Sequence, residues 1–338
     1  MKTIYKLLLA SVAVVAVASC GGPKVQDTYA PEESGLNVMK LTDESTVSIL
    51  GPMAYYSPVG ANFAANIYAG SKKAKYIWST VRVLDVSPDG TEIAYNAVVN
   101  KQSNVLIKKS ALQGASTQRT FRNVGDFSWG SDGNLYYADA TNTTYSQISS
   151  TNAHVGSLIK QLTSNNDDSS PVLTSDGKTL FFTRVDNSGP SIWSLDMETG
   201  ALTSCARGYS PEPIPGENDK FLCVRNSPAG NSEIWLVDYM KGQETMIASD
   251  IERSYSNPAL SPDGQWILCQ GNAKSNISKK MNLDIFAIRV DGTQTIQLTY
   301  HPAYDCCPVW SPDGKYIYFL STRATKKNAY NVWRMNFL

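Results

Sequence analysis

The sequence predicts an all-β protein built from six four-stranded repeats. Three observations carry that reading. A tight-turn motif recurs as Val86-Ser87-Pro88-Asp89-Gly90, Trp129-Gly130-Ser131-Asp132-Gly133, Leu173-Thr174-Ser175-Asp176-Gly177, Leu260-Ser261-Pro262-Asp263-Gly264 and Trp310-Ser311-Pro312-Asp313-Gly314, with a weaker copy over 215–220. The marker residues Asp89, Asp132, Asp176, Asp219, Asp263 and Asp313 lie 43, 44, 43, 44 and 50 residues apart, the period of a propeller blade. The strand count closes only if the N-terminal end of the fold joins the last repeat. The fold class is a six-bladed β-propeller.

Each repeat follows the same physical logic. An apolar strand enters, and Asp-Gly turns it: Asp bonds its own backbone and Gly accepts the positive φ. A β-branched or aromatic second strand leaves. A third follows as Asn104-Val-Leu-Ile, Ser191-Ile-Trp, Glu233-Ile-Trp, Asp284-Ile-Phe and Asn331-Val-Trp, and is faint near Tyr145 in the second repeat. Fourth strands carry Leu-Thr at Leu162-Thr163, Leu202-Thr203 and Leu298-Thr299. The sixth repeat ends at Leu338 after its third strand, and Leu36–Thr42 reads as the missing fourth. Closing the ring this way removes open sheet edges. Residues 43–80 are left over. Met53, Tyr55, Tyr56, Phe63, Tyr76 and Trp78 make them too apolar for a solvated linker. A cap on the ring is favoured over a degenerate seventh blade, which needs about 44 residues of its own.

Composition narrows the function. The chain has 338 residues, 30 Lys+Arg and 30 Asp+Glu, with 42% hydrophobic residues. That is apolar enough for a large core. The balanced charge excludes a nucleic-acid binder working through a basic surface. Two His, His154 and His301, are too few for most catalytic zinc sites.

The first 19 residues read as a signal peptide. Lys2 and Lys6 precede a short apolar run ending in Val17-Ala18-Ser19-Cys20, too short to span a bilayer. The pattern resembles the lipobox of bacterial lipoproteins, which implies lipidation of Cys20 and a place in the cell envelope. Gly21 after the Cys points to the outer membrane, on either of its faces. Cleavage before Cys20 leaves a formal charge of −2. Residues 20–35 then form the lipidated Cys and a flexible tether, and 36–338 the propeller.

The Ser-Pro-Asp-Gly turns, the Leu-Thr strands and the Ile-Trp strands resemble the PD40-type, WD40-like repeats of TolB-like six-bladed β-propellers. The resemblance covers 36–42 and about 81–338. It implies the fold and leaves function open, because one fold hosts many activities. TolB-like proteins proper carry an α/β domain before the ring, for which this chain has no room, so a place outside the Tol-Pal system is expected.

Gly-x-Ser-x-Gly, His-Glu-x-x-His, the P-loop and a helix-opening Gly-x-Gly-x-x-Gly are absent from the sequence. The Asp-Gly carboxylates are explained by their turns, so no metal is expected of them. Trp193, Trp235 and Trp333 share one repeat position and read as packing. Cys306-Cys307 reads as either a vicinal disulfide or two buried thiols. No cofactor and no enzymatic activity are expected. What remains is a rim of loops entering the first strands and joining second to third strands. Arg122, Asp168, Arg207, Tyr209, Arg253, Tyr255, Lys279, His301, Tyr304, Asp305 and Lys326 lie on it, residue types common at interfaces. The expected function is a monomeric, non-enzymatic ring, tied to the membrane by its N-terminal lipid, that binds an envelope protein. The alternative is a propeller that binds or degrades a glycan at the channel mouth.

Overall fold

The computed structural model describes residues 30–43, 48–49, 82–100, 102–110, 115–141, 146–154, 158–274, 281–325 and 329–337. They form six antiparallel sheets arranged as a six-bladed β-propeller. Blades two to five each use four consecutive strands, and the first strands of neighbouring blades touch around the axis. Blade six is closed by Met39–Lys40, which pairs with Arg334 and Trp333 of its third strand. The N-terminal closing strand is therefore present, although shorter than Leu36–Thr42.

The turns form for the reason their sequence gives. Asp89, Asp176, Asp263 and Asp313 each accept a hydroxyl from the Ser or Thr two residues earlier, at 2.5–2.7 Å. Each also accepts the N–H two residues later, at 3.0–3.1 Å. These bonds hold the Asp89 carboxyl down at about 2. Gly90, Gly264 and Gly314 adopt φ of +73°, +69° and +71°, as the turn requires. Blade four departs from the pattern. Its turn is Pro215-Gly216, between Ile214 and Glu217, and Asp219 lies within the following strand.

The core sits between blades. Leu36, Trp310, Ile317, Phe319, Trp333 and Met335 pack with Leu268 and Ile285 of blade five. The repeated third-strand Trp is indeed packing, with a companion that the sequence pattern did not reveal. Arg184 stacks over Trp193, Arg225 over Trp235 and Arg323 over Trp333, at 4.6, 4.9 and 5.6 Å, cation–π contacts that also cover the indoles from water.

Two boundaries differ from expectation. Residues 30–35, expected in the tether, belong to the fold. Pro31–Glu33 is a 3₁₀ turn and Glu33 is 1% exposed. Within 43–80, Ser48–Ile49 pairs with Val98 and Ala97, in line with Leu84–Val86 opposite Tyr95, Ala94 and Ile93. The first strand of blade one is thus split, and both ends of the insertion lie on the innermost strand. The cap-or-blade question falls on 50–81, outside the described residues, as do residues 1–29 with the signal peptide and Cys20.

Candidate functional site: the channel and its rim

The first strands that line the axis share a bulge. In blades three to six a residue in the left-handed region precedes a proline: Ser170-Pro171, Ser210-Pro211, Asn257-Pro258 and Cys307-Pro308, with φ between 51° and 53°. Such a backbone is costly for non-glycine residues. Hydrogen bonds from the preceding blade hold it. Ser170 N–H donates to Asp126 Oδ2 at 2.7 Å, Ser210 N–H to Thr183 Oγ1 at 3.0 Å, and Cys307 N–H to Gln270 Oε1 at 2.9 Å. The same device appears three residues on: Trp129 N–H donates to Asp85 Oδ2 and Leu260 N–H to Glu212 Oε1, at 2.8 and 3.1 Å. Five of the six blade junctions are thereby stitched, always from a side-chain acceptor on the earlier blade to an N–H on the next. The sixth is bridged by Ile49 and Tyr330.

Arg82 crosses the axis. Its guanidinium, carried by blade one, donates to Glu212 Oε2 of blade four at 2.5 Å. Below it a cavity of about 20 Å³ is walled by Arg82 and by three of the bulge–proline pairs, room for about one water. Asp85, Asp126 and Glu212 surround the single cation. Burial opposes the charge on Arg82, but Glu212 and Asp85 more than offset it and its pKa is raised. Burial pushes Asp126 up to about 6, against the bonds from Ser170 and the field of Arg82. Its Oδ1 has no partner.

Of the nine described rim residues that the sequence pointed to, five turn inward. Asp168 is fully buried in a bidentate pair with Arg184 at 2.7 and 2.9 Å. Tyr209 is buried, its hydroxyl donating to Asn226 Oδ1 at 2.8 Å. Tyr255 packs edge-on against Phe286. His301 is buried and its Nδ1 accepts the Ala303 N–H at 3.1 Å. Asp305 meets Arg323 in a buried cluster. These five hold loops and offer little surface to a partner. Arg207 is exposed, Arg122 pairs with Asp139 at 2.8 Å, Arg253 with Asp250 at 3.4 Å, and Tyr304 is half-buried. Lys279 and Lys326 lie outside the described residues.

Glu33 completes the Arg323 cluster. Its Oε2 accepts Arg323 Nη1 at 2.7 Å, and its Oε1 accepts Arg323 Nη2 and the Tyr300 N–H at 3.2 and 2.7 Å. Arg323 Nη2 also reaches Asp305 Oδ2. Two carboxylates thus share one buried guanidinium. Burial, with Asp305 and Glu33 beside it, pushes Asp284 up to about 9, so it is protonated at neutral pH. No local sequence signal marks Glu33, because its partner lies 290 residues away. Cys306 and Cys307 are both buried thiols, not joined in a disulfide. Among the described residues no group of three or more His, Cys, Asp or Glu is placed to hold a metal ion.

No family model matches the sequence. An uncharacterized protein of Agrobacterium fabrum is 29% identical over 125 residues, 37% of this chain and 38% of that relative. Among solved structures, TolB from Acinetobacter baumannii superposes with a TM-score of 0.57 at 19% identity, covering 68% of this chain and 56% of that one. Putative TolB from Agrobacterium tumefaciens gives 0.56 at 17% identity, over 76% and 90%. An oligogalacturonate lyase from Vibrio parahaemolyticus gives 0.53 at 11%, over 89% and 96%. At such identities the likeness is one of fold. On its blade count, its closure and these superpositions, the chain is a six-bladed β-propeller, similar in fold to the TolB structures.

Proposed function

We propose that this chain is a non-enzymatic, lipid-anchored propeller that binds a protein partner in the cell envelope. One observation carries the reading. The Arg82–Glu212 pair spans the axis between opposite blades, so ion pairing fills the place where a propeller enzyme would receive substrate. Recognition is left to the outer surfaces. The lipobox-like start at Cys20 supports envelope anchoring, and Cys20→Ser is expected to move the protein from the membrane to the soluble fraction. The binding reading is tested by crosslinked affinity purification from membrane extracts. Combined charge reversal of Lys279 and Lys326 is expected to weaken recovery of the partner, and finding no partner at all overturns the reading. The likeness to an oligogalacturonate lyase over 89% of this chain favours a glycan ligand as the second reading. A thermal-shift screen against acidic oligosaccharides without hits removes it.

A further inference from the structure

The outer strands are of two kinds. In blades one, two, five and six a threonine hydroxyl accepts the N–H of a buried aliphatic residue of the third strand. Thr120 takes Val105, Thr163 takes Ile148, Thr299 takes Ile285 and Thr42 takes Val332, each at 2.9 Å. That bond replaces a rung of the ladder, and those outer strands run only two or three residues: Thr117–Gln118, Ile159–Gln161, Thr295–Gln297 and Met39–Lys40. In blades three and four, Ala206 and Ala248 stand opposite Ile192 and Ile234 instead. Their outer strands, Leu202–Arg207 and Gln243–Ala248, run six residues.

A long open edge invites pairing, and proteins blunt such edges with Lys, Pro or brevity. The blade-four edge has none of these. Its one charged residue, Glu244, is tied to Arg225 by two 2.7 Å bonds. Met240, Met246 and Ile251 run along it from turn to strand to following loop, 68%, 49% and 91% exposed. The loop is fixed: Asn231 Nδ2 donates to the carbonyls of Asp250 and Ile251 at 2.9 and 2.7 Å. Counting Arg225 with the strand and loop, 243–253, Glu244, Asp250 and Glu252 stand against Arg225 and Arg253, a net charge of −1, with Glu252 exposed in the loop. At one end a Cβ on Gly292 of blade five would lie 2.9 Å from the Ile247 carbonyl oxygen, so the neighbouring blade covers that point and the free edge is 243–246.

We propose that the outer edge of blade four, Gln243 to Met246, pairs with an extended partner segment in which apolar residues alternate with lysine or arginine. The partner backbone supplies the missing rungs, its apolar side chains cover Met246 and Ile251, and its cations answer the acidic strand and loop. The inference rests on the protein-binding reading and names its surface.

The test uses the full chain and a synthetic peptide alternating valine with lysine, read by hydrogen exchange and by fluorescence anisotropy. Saturable binding with slowed exchange at 243–246 is expected. Met246→Lys with Glu252→Lys, both on the surface, should weaken it about tenfold. Met246→Pro, which removes an edge N–H, is the second variant and should also weaken it. Absence of protection at 243–246 overturns the proposal, as does equal binding by a valine–glutamate peptide or by both variants. Protection that appears without peptide and grows with protein concentration also overturns it, because the occupant is then a second copy. A purified partner that leaves 243–246 unprotected removes the edge assignment and spares the binding reading. Finding no partner removes both.

Discussion

Arg82 is 19% exposed at its side chain and Glu212 14%, so their pairing is only lightly screened. Arg82→Ala leaves Glu212 facing Asp85 and Asp126 without a cation. The expected loss is about 3 kcal/mol, measured by urea unfolding at neutral pH. Asp126 supplies a pH dependence. Its carboxyl loses its proton near pH 6 in the folded chain and near 4 in the unfolded one. A carboxyl whose folded pKa is raised is unpenalised below the unfolded value, and its ionisation costs stability as pH rises toward the folded value. Wild type should therefore lose stability relative to Asp126→Asn between pH 4 and 6, by about 3 kcal/mol in all, and then run parallel to it. Parallel curves across that range would show that Asp126 keeps an ordinary pKa. None of this was legible in the sequence. Arg82 and Asp126 carry no motif, and they meet because a ring brings distant first strands to one axis. The rim was misread as surface: of Asp168, Tyr209 and His301, the first two lie in the first strands of their blades and His301 in an entering loop, and burial is a tertiary property that residue type does not reveal.

Among the elements, the N-terminal segment does more than close a sheet. Leu36 enters the core between blades five and six, Thr42 bonds Asn331 Oδ1 at 2.9 Å, and Glu33 neutralises Arg323. Glu33→Ala strands a buried guanidinium with Asp305 alone, and the expected cost is about 3–5 kcal/mol. Deleting residues 1–29 should leave the melting temperature nearly unchanged, whereas deleting 1–43 should lower it by more than about 10 °C and promote aggregation through the opened edge of blade six. Differential scanning calorimetry separates the two. The closing strand was readable because Leu41-Thr42 repeats the Leu-Thr of the other outer strands. The structure explains that dipeptide: the threonine is the acceptor that ends the strand. Leu202-Thr203 carries the same letters at the start of its strand, so the motif alone did not mark the two blades whose edges stay long. The split first strand of blade one was hidden because neither half carries enough residues to make a pattern.

At the scale of the molecule, period and turn chemistry were enough to predict a six-bladed ring, because every blade repeats the same local solution. The junctions were not predictable, because each uses a different acceptor: Asp85, Asp126, Thr183, Glu212 and Gln270. Their shared polarity has a consequence for assembly. In these five bonds the acceptor belongs to the blade made earlier and the donor to the blade made later. A growing chain can therefore add each blade to a template that already exists, in the order of translation. Only the amino-terminal segment must wait, since its partners are the last strands to appear. A chain stopped after residue 304 should show exchange-protected amides in blades two to four while the segment around Glu33 stays unprotected. In this sense the ring is directional, like a zip whose slider starts at blade one and whose final tooth is the first piece of the fold to be synthesised.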